Sequence, residues 1–244
     1  MDIITYVIIA LVIVFALLLC FCLAVASFSF ENYYEKLRET DQKRNSAGIT
    51  TFEYVTEINK IHFGGKLQMA RCAEFDDHYS TGRVALSEKT MASNSLASLA
   101  IVSHELGHAR QDATSDKLTK HWRLKKIGRI CGLFFMPVML AGVILSVLNL
   151  LSVLEGLVYL ILGVSLMAGG LMIFVFACIL KYKEIKIERE ASDFALVYLQ
   201  EILMKPEVDA CKEFLNSARL TYWASLFRTM FSWTLLTKKE SMFR

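Results

Sequence analysis

The sequence predicts a mainly α-helical integral membrane protein with a polar unit that carries a small β-hairpin. Hydrophobic residues make up 55% of the 244 residues. The mean hydropathy, +0.41, is higher than a soluble domain of this size would have. Three apolar stretches are long enough to cross a bilayer. The remaining segments are charged and show helical periodicity, apart from two short runs typical of strands.

Residues 1–30 are predicted to be an N-terminal transmembrane anchor. The apolar stretch runs from Ile3 to about Phe30 and contains no charged residue. A cleaved signal peptide is the alternative interpretation. No Lys or Arg precedes the stretch, it is longer than a signal-peptide core, and Ala24-Val25-Ala26 is only a loose cleavage match. A retained anchor is therefore the preferred interpretation.

Residues 31–129 are predicted to form the first half of the polar unit. The charged segment Glu31–Arg44 is predicted to be helical. Thr50 and Glu53 fit a capping box, which predicts a helix to about Ile61 that Gly64-Gly65 terminates.

Two short strands are expected after that helix. Leu67–Ala73 and Arg83–Leu86 have strand composition, and Ser80-Thr81-Gly82 predicts the turn of a hairpin between them. Its exposed edge could bind an extended peptide by strand addition. His78 or Tyr79 could donate a hydrogen bond to a developing oxyanion, although turn chemistry and a packed tyrosine would explain them equally well.

A pentad of the form H-E-x-x-H, residues 104–108, lies in a stretch that predicts a helix capped by Asn94 or Ser95. A helix turns about 100° per residue, so His104 and His108 lie about 40° apart on one face. Two imidazoles there can bind one Zn²⁺, and Glu105 beside them can take a proton from an attacking water. The alternative interpretation is a charged helix end that contains two histidines by chance and binds no metal.

The rest of this helix has two predicted faces. Leu99, Val102 and Leu106 lie opposite His104, and we expect them to be buried. Gln111 shares the histidine face and could support the site, although an ordinary exposed glutamine is the preferred interpretation.

Residues 130–180 are predicted to form a transmembrane helical hairpin, and the basic residues around the spans predict its orientation. The spans, about 130–150 and 156–180, are joined by a turn that contains no Lys or Arg, and small residues at 168–170 favour close helix packing. Basic residues lie at one end of each span. The first span is followed by Lys36, Arg38, Lys43 and Arg44. The second is preceded by Lys117, Lys120, Arg123, Lys125, Lys126 and Arg129, and the third is followed by Lys181, Lys183, Lys186 and Arg189. The positive-inside rule then places 31–129 and everything after 181 in the cytoplasm.

Residues 181–214 are predicted to contain a cytoplasmic helix that supplies a third metal ligand. Taking Ala191 as the centre of its apolar stripe, Glu184 lies about 20° away and Glu188 about 60°, so both face inward. Glu190 at about 100° and Asp193 at about 160° face the flank or water. Glu188 is preferred because Glu184 is nearer the membrane end, and a salt bridge to a nearby Lys or Arg is the alternative for either.

Residues 215–244 are predicted to form an interfacial or membrane-packed helix, with a short fourth span as the alternative. The net charge of +3 and the clustering of basic residues at span ends exclude a nucleic-acid surface. The six cysteines contain no C-x-x-C pair, so neither a disulfide framework nor a zinc finger is expected.

Three motifs together resemble the bacterial neutral zinc metallopeptidases of the YugP type, membrane relatives in style of the HtpX-type proteases. These motifs are Asp77-His78-Tyr79 with Arg83–Ser87, Ser103–Gln111, and Glu188–Ser192. The resemblance covers nearly the whole chain. It implies a zincin-like unit in which His104, His108 and Glu188 bind zinc and Glu105 is the general base. The chain departs from the family pattern at Ser80, where Asp is usual, and at Arg189, where an aromatic is usual.

Motifs and topology together predict a multi-pass zinc metalloendopeptidase of the cell membrane. We expect one Zn²⁺ per chain, a cytoplasmic active site, and membrane proteins or peptides as substrates. The lipid bilayer is the other expected partner, nucleic acid is not, and homo-oligomer formation is left open. Two alternatives are a zinc-stabilised scaffold that binds a partner protein and a zinc hydrolase of a non-peptide substrate. Glu105 speaks against the scaffold, because a structural site needs no base.

Overall fold

The computed structural model describes residues 3–74, 76–151 and 153–230, which form seven α-helices and three short β-strands. In chain order these are α1 Ile3–Gln42, α2 Thr51–Phe63, β1 Gln68–Arg71, β2 His78–Ser80, β3 Arg83–Leu86, α3 Glu88–Ala92, α4 Leu96–Thr114, α5 Lys117–Leu150, α6 Leu157–Gln200 and α7 Lys205–Met230. The predicted class, mainly α-helical with apolar helices and a small sheet, is confirmed.

The described residues divide into two compact units. An apolar unit contains residues 3–28, 123–183 and 222–230, and a site unit contains residues 29–122 and 184–221. Several helices continue through the boundaries expected from the sequence. Helix α1 extends beyond residue 30 to Gln42, and α6 runs unbroken through residues 180 and 181. Residues 215–230 belong to α7, while Ser152 and residues 231–244 of the predicted turn and C-terminal segment lie outside the described residues.

Helices α1, α5 and α6 of the described chain are long and apolar enough to cross a membrane. Their outer surfaces carry large apolar side chains such as Leu17, Phe134 and Met172, which are 64%, 59% and 69% exposed. Hydration of apolar surface costs roughly 25 cal/mol per Å². Lipid would remove this cost, which is why such a surface suits a bilayer better than water.

Glycines allow α5 and α6 to approach closely inside the apolar unit. A Cβ on Gly142 would lie 2.7 Å from the backbone nitrogen of Met167 and 2.8 Å from the carbonyl oxygen of Gly163. A Cβ on Gly170 would overlap Met139, whereas one on Gly169 would meet nothing within 4 Å. Close packing at residues 168–170 was expected, and Gly170 is the residue there that provides it.

The site unit is built on α2 and α4, whose starts agree with the sequence prediction, and α2 ends at Phe63, just before the expected Gly64-Gly65. Thr50 and Glu53 form both hydrogen bonds of the capping box, and Gly64 ends α2 in the left-handed region at φ 61°. The side chain of Ser95 caps α4. Leu99, Val102 and Leu106 are fully buried in a core with residues of α2, as expected. This core orients the opposite, histidine-bearing face of α4.

The sheet differs from the predicted hairpin. Its order is β1-β3-β2: β3 pairs antiparallel with β2 and parallel with β1. The hairpin partner of Arg83–Leu86 is therefore His78–Ser80, and the predicted pairing with Leu67–Ala73 was wrong in direction. Tight turns join only antiparallel neighbours, and Thr81-Gly82 connects β2 to β3 directly. Strand composition does not say which of two strands a third will join.

Candidate metal centre

Three predicted ligands meet in the site unit. His104 and His108 lie one turn apart on α4, with ring centroids 4.7 Å apart. Glu188 of α6 places its Oε2 atom 3.0 Å from His104 Nε2 and 3.4 Å from His108 Nε2. The Glu188 side chain is 5% exposed. These three side chains form a group compact enough to hold one metal ion.

Gly107 explains how α4 and α6 approach each other at this point. A Cβ there would lie 2.8 Å from the carbonyl carbon of Ala191 and 2.9 Å from its Cα. Backbone therefore packs on backbone between the two histidines. Ala191 is three residues after Glu188, so this contact sets the position of the carboxylate against the imidazoles.

Hydrogen bonds determine which ring nitrogen of His104 faces Glu188. The hydroxyl of Ser192 donates to the carbonyl oxygen of Glu188 at 3.0 Å. Its oxygen lies 3.1 Å from His104 Nδ1 and can accept the Nδ1 proton. His104 is then the tautomer whose Nε2 lone pair points to Glu188.

Gln111 determines in the same way which ring nitrogen of His108 faces Glu188. Its Nε2 donates to the carbonyl oxygen of Ile187 at 2.8 Å and to Glu190 Oε2 at 3.0 Å, which fixes the direction of the amide. Its Oε1 therefore accepts from His108 Nδ1 at 3.0 Å. Gln111 is 1% exposed, so the expectation of an ordinary surface glutamine was wrong. Through this amide, Glu190 is also connected to the site rather than facing only water.

Three acceptor atoms thus converge, Nε2 of both histidines and Oε2 of Glu188, and they require a proton or a cation between them. The pKa values reflect this requirement. Burial alone would lower the pKa of His108, but the hydrogen bond and charge of Glu188 outweigh burial and raise it to about 9. Burial would raise the pKa of Glu188, but the two histidines hold it well below its usual range.

Glu105 is positioned by the edge strand of the sheet. Its Oε2 accepts the backbone N–H of Tyr79 at 2.7 Å. The Tyr79 hydroxyl donates to Asp112 Oδ2 at 2.7 Å and accepts the N–H of Gly82 at 2.6 Å. Burial and the hydrogen bond to Asp112 raise the pKa of Tyr79 to about 12. Tyr79 therefore contacts the predicted base through its backbone, while its ring attaches β2 to α4.

The loop before β2 is held by Asp77. Its Oδ1 accepts the N–H of Ser87 at 2.6 Å, and its Oδ2 accepts the hydroxyl proton of Thr90 at 2.6 Å. His78 Nδ1 lies 2.6 Å from the carbonyl oxygen of Asp76. No contact among the described residues joins the His78 ring to Glu105 or to the two histidines. Its role in catalysis stays a prediction.

Two further residues border the site. Glu184, expected to face inward, is 2% exposed, and His121 near the start of α5 is 4% exposed. His121 Nε2 lies 3.3 Å from Glu188 Oε1. The sequence analysis did not identify His121 as a site residue. It lies among the Lys and Arg residues before the second span, which were interpreted only as a signal for membrane orientation. Gln111 did carry a signal, its place on the histidine face.

Comparison with known proteins gives the family. The family described as "Putative neutral zinc metallopeptidase" matches residues 7–237. The chain belongs to this family. A curated relative, "Putative membrane protease YugP" of Bacillus subtilis (strain 168), is 24% identical over 213 residues, which cover 84% of this chain and 86% of the relative. No solved structure matches the chain. Membership supports zinc and peptidase chemistry at the level of the family, and the relative supports association with a membrane.

Proposed function

We propose that the chain is a membrane zinc metalloendopeptidase whose ligands are His104, His108 and Glu188. The observation that carries this proposal is the convergence of the two Nε2 atoms on Glu188 Oε2, with the Nδ1 atom of each histidine engaged by Ser192 or Gln111. Two imidazoles and one carboxylate are a ligand set of catalytic zinc sites. The donors therefore fit zinc, and three protein ligands leave the fourth position of a tetrahedral zinc for water or substrate.

Zinc bound by these residues would supply a Lewis acid that polarises a carbonyl and makes water nucleophilic near neutral pH. The proton chemistry belongs to Glu105. Its Oε2 is held by the N–H of Tyr79, so Oε1 is the atom we assign to taking the proton of the attacking water. The same carboxyl then passes the proton to the leaving amine.

The sheet edge supports a peptide as the substrate. Strand β2 is an outer strand of the described sheet, and the N–H of Tyr79 is used by Glu105. An extended peptide would pair with the backbone groups of β2 that Glu105 leaves free, and it would then pass next to the base. Backbone pairing accepts many sequences. We assign His78, on the same strand, to stabilising the developing oxyanion as an imidazolium, because its Nδ1 already faces the carbonyl oxygen of Asp76 and only a protonated Nε2 can donate. We assign Tyr79 to positioning Glu105.

The basic residues at the ends of the spans indicate on which side of the membrane the substrates would lie. Basic residues flank the three apolar stretches on the side that carries residues 31–129 and the chain after 181. The positive-inside rule makes that side cytoplasmic. We therefore propose a multi-pass protein that cleaves membrane proteins, or peptides released near the inner leaflet.

The test is metal analysis and hydrolysis with the full-length protein in mild detergent. We expect about one tightly bound zinc per chain as purified. Glu105→Gln should keep the zinc and lose turnover, because the base binds no metal. Peptide hydrolysis absent from this variant but present in the native chain would support the peptidase. Zinc near zero that does not rebind would overturn it, and Glu105→Gln with native turnover would remove Glu105 from the mechanism.

The Glu105→Gln variant also separates the peptidase from the other two functions considered. A scaffold would bind its partner equally well after this substitution, whereas an inactive peptidase should retain uncleaved substrate. A hydrolase of non-peptide substrates would show metal-dependent turnover with ester or amide substrates but none with peptides.

A further inference from the structure

A second set of metal-binding side chains adjoins the first in the site unit. His121, Glu184 and Glu188 each place one ligand atom within 4.8 Å of the other two, and all three are at least 95% buried, with exposures of 4%, 2% and 4%. Glu184 precedes Glu188 by one turn of α6, so both carboxylates lie on one face. The two sets share only Glu188.

The two oxygens of Glu188 are divided between the sets. Oε2 faces His104 and His108, whereas Oε1 lies 3.3 Å from His121 Nε2. Zinc–ligand bonds of about 2.0–2.1 Å in a tetrahedron place neighbouring ligand atoms roughly 3.3 Å apart. The spacing between His121 and Glu188 is therefore the spacing of two ligands around one ion. A carboxylate with each oxygen facing a different ligand set can bridge two ions.

Charge favours a cation at this position. Glu184 and Glu188 are buried carboxylates within 4.8 Å of each other, and like charges at that distance repel strongly in a poorly hydrated environment. A divalent ion between the two carboxylates would offset this repulsion.

We propose that His121, Glu184 and Glu188 bind a second divalent cation and that Glu188 bridges it to the zinc held by His104 and His108. This rests on the proposed function for the first ion. One imidazole and two carboxylates form a harder ligand set than two imidazoles and one carboxylate. The second site therefore accepts Mn²⁺ as well as Zn²⁺. Because Glu188 is shared, the second ion binds more weakly than the first and is lost during purification.

The experiment is a sequential loading of the full-length protein in detergent. The chain is stripped with a chelator, given one equivalent of Zn²⁺, and titrated with Mn²⁺ while the signal of free Mn²⁺ is followed by electron paramagnetic resonance. Zinc binds nitrogen and oxygen sites more tightly than manganese, so Mn²⁺ should not displace it. We expect one Mn²⁺ per chain at saturation, with the zinc retained after desalting.

The variants test the assignment of the ligands. His121→Ala and Glu184→Gln should lower Mn²⁺ affinity at least tenfold and keep one zinc, and retained zinc shows that the site unit is folded. His62→Ala and Glu201→Gln are matched controls, because these residues form a partly exposed pair at 2.9 Å outside both sets. They should titrate like the native chain.

The outcomes separate this proposal from the peptidase itself. A chain that holds one zinc and cleaves peptides but takes up no Mn²⁺ or second Zn²⁺ at millimolar concentrations would overturn the second site alone. His121 would then be a residue that only orients Glu188. Mn²⁺ binding unchanged in both variants would also overturn it. A chain that binds no zinc would instead overturn the proposed function.

Discussion

At the scale of single residues, the proposed metal site depends on the side chains that orient its ligands as much as on the ligands themselves. Ser192 and Gln111 each accept a hydrogen bond from Nδ1 of one histidine, and each donates a second hydrogen bond to the backbone of α6. A histidine restrained in this way presents Nε2 with little loss of rotational freedom on binding. Such outer contacts typically contribute 10- to 100-fold to metal affinity.

Replacing Gln111 tests that contribution. Gln111→Leu removes the acceptor for His108 Nδ1, so we expect zinc affinity to fall by about 10- to 100-fold, with all three ligands still present. Competition with a chelating dye measures the zinc affinity. Gln200→Leu, at an exposed position at the end of α6, is the control and should bind zinc normally. Native affinity in Gln111→Leu would show that the amide does not orient His108.

The third ligand is tested by two acids on the same helix. Glu188→Ala should lose activity and most of its zinc, because it removes a ligand. Glu190→Ala should keep most of both, since the carbonyl of Ile187 still holds Gln111 when Glu190 is absent. Zinc content and peptide turnover decide between them. Full zinc in Glu188→Ala together with loss in Glu190→Ala would mean that the register of α6 used here is wrong.

At the scale of elements, the close contact of α4 with α6 brings the ligands together. Gly107 has no side chain, and the backbone of Ala191 occupies the space where one would be. The proposed function gives chemical roles to the first, second and fifth residues of the pentad, whereas the glycine has a steric one. Backbone cannot move aside as a flexible side chain can, so even a methyl group would push α6 away.

Gly107→Ala is therefore expected to reduce zinc binding without touching a ligand. The helices must separate to admit the methyl group, which we expect to cost about 1–3 kcal/mol of stability and to move Glu188 away from the histidines. Thermal unfolding and zinc content measure the two effects. Gly128→Ala is the control, because a Cβ there meets nothing within 4 Å of it among the described residues. Normal zinc content in Gly107→Ala would show that the contact is not needed.

At the scale of the whole molecule, the location of the proposed chemistry depends on how the apolar helices would cross a membrane. Helices α1, α5 and α6 have the length and composition of membrane spans, and α1 and α6 each continue into the site unit as unbroken helices. Which side of the membrane holds the site depends on the basic residues at the span ends. That orientation is open to direct measurement.

Thiol labelling in a cysteine-free background that still binds zinc would determine it. A cysteine at Ala113, an exposed position of α4, should react with a membrane-impermeant reagent only after cells are opened. A cysteine at Glu155, exposed between the second and third spans, should react in intact cells. The opposite pattern would invert the topology and place the substrates outside the cell.

The sequence by itself determined the features that depend on neighbours along the chain. The capping box at Thr50, the start of α4 at Ser95, and the apolar stretches that become α1, α5 and α6 are all local patterns of a few residues or one helical period. The pentad is local too, and helix geometry was enough to place His104 and His108 on one face. The angle of Glu188 to its apolar stripe likewise predicted that it faces inward.

Only the tertiary structure decided the relations between elements. The order of the sheet, the burial of Gln111, the role of Gly107 and the approach of His121 to Glu188 all depend on how separate helices and strands pack. Packing is determined by the shapes of surfaces that are distant in sequence, and residue spacing indicates which face of an element packs but not which partner it packs against. For that reason an exposed glutamine was expected where the structure has a buried amide that orients a histidine.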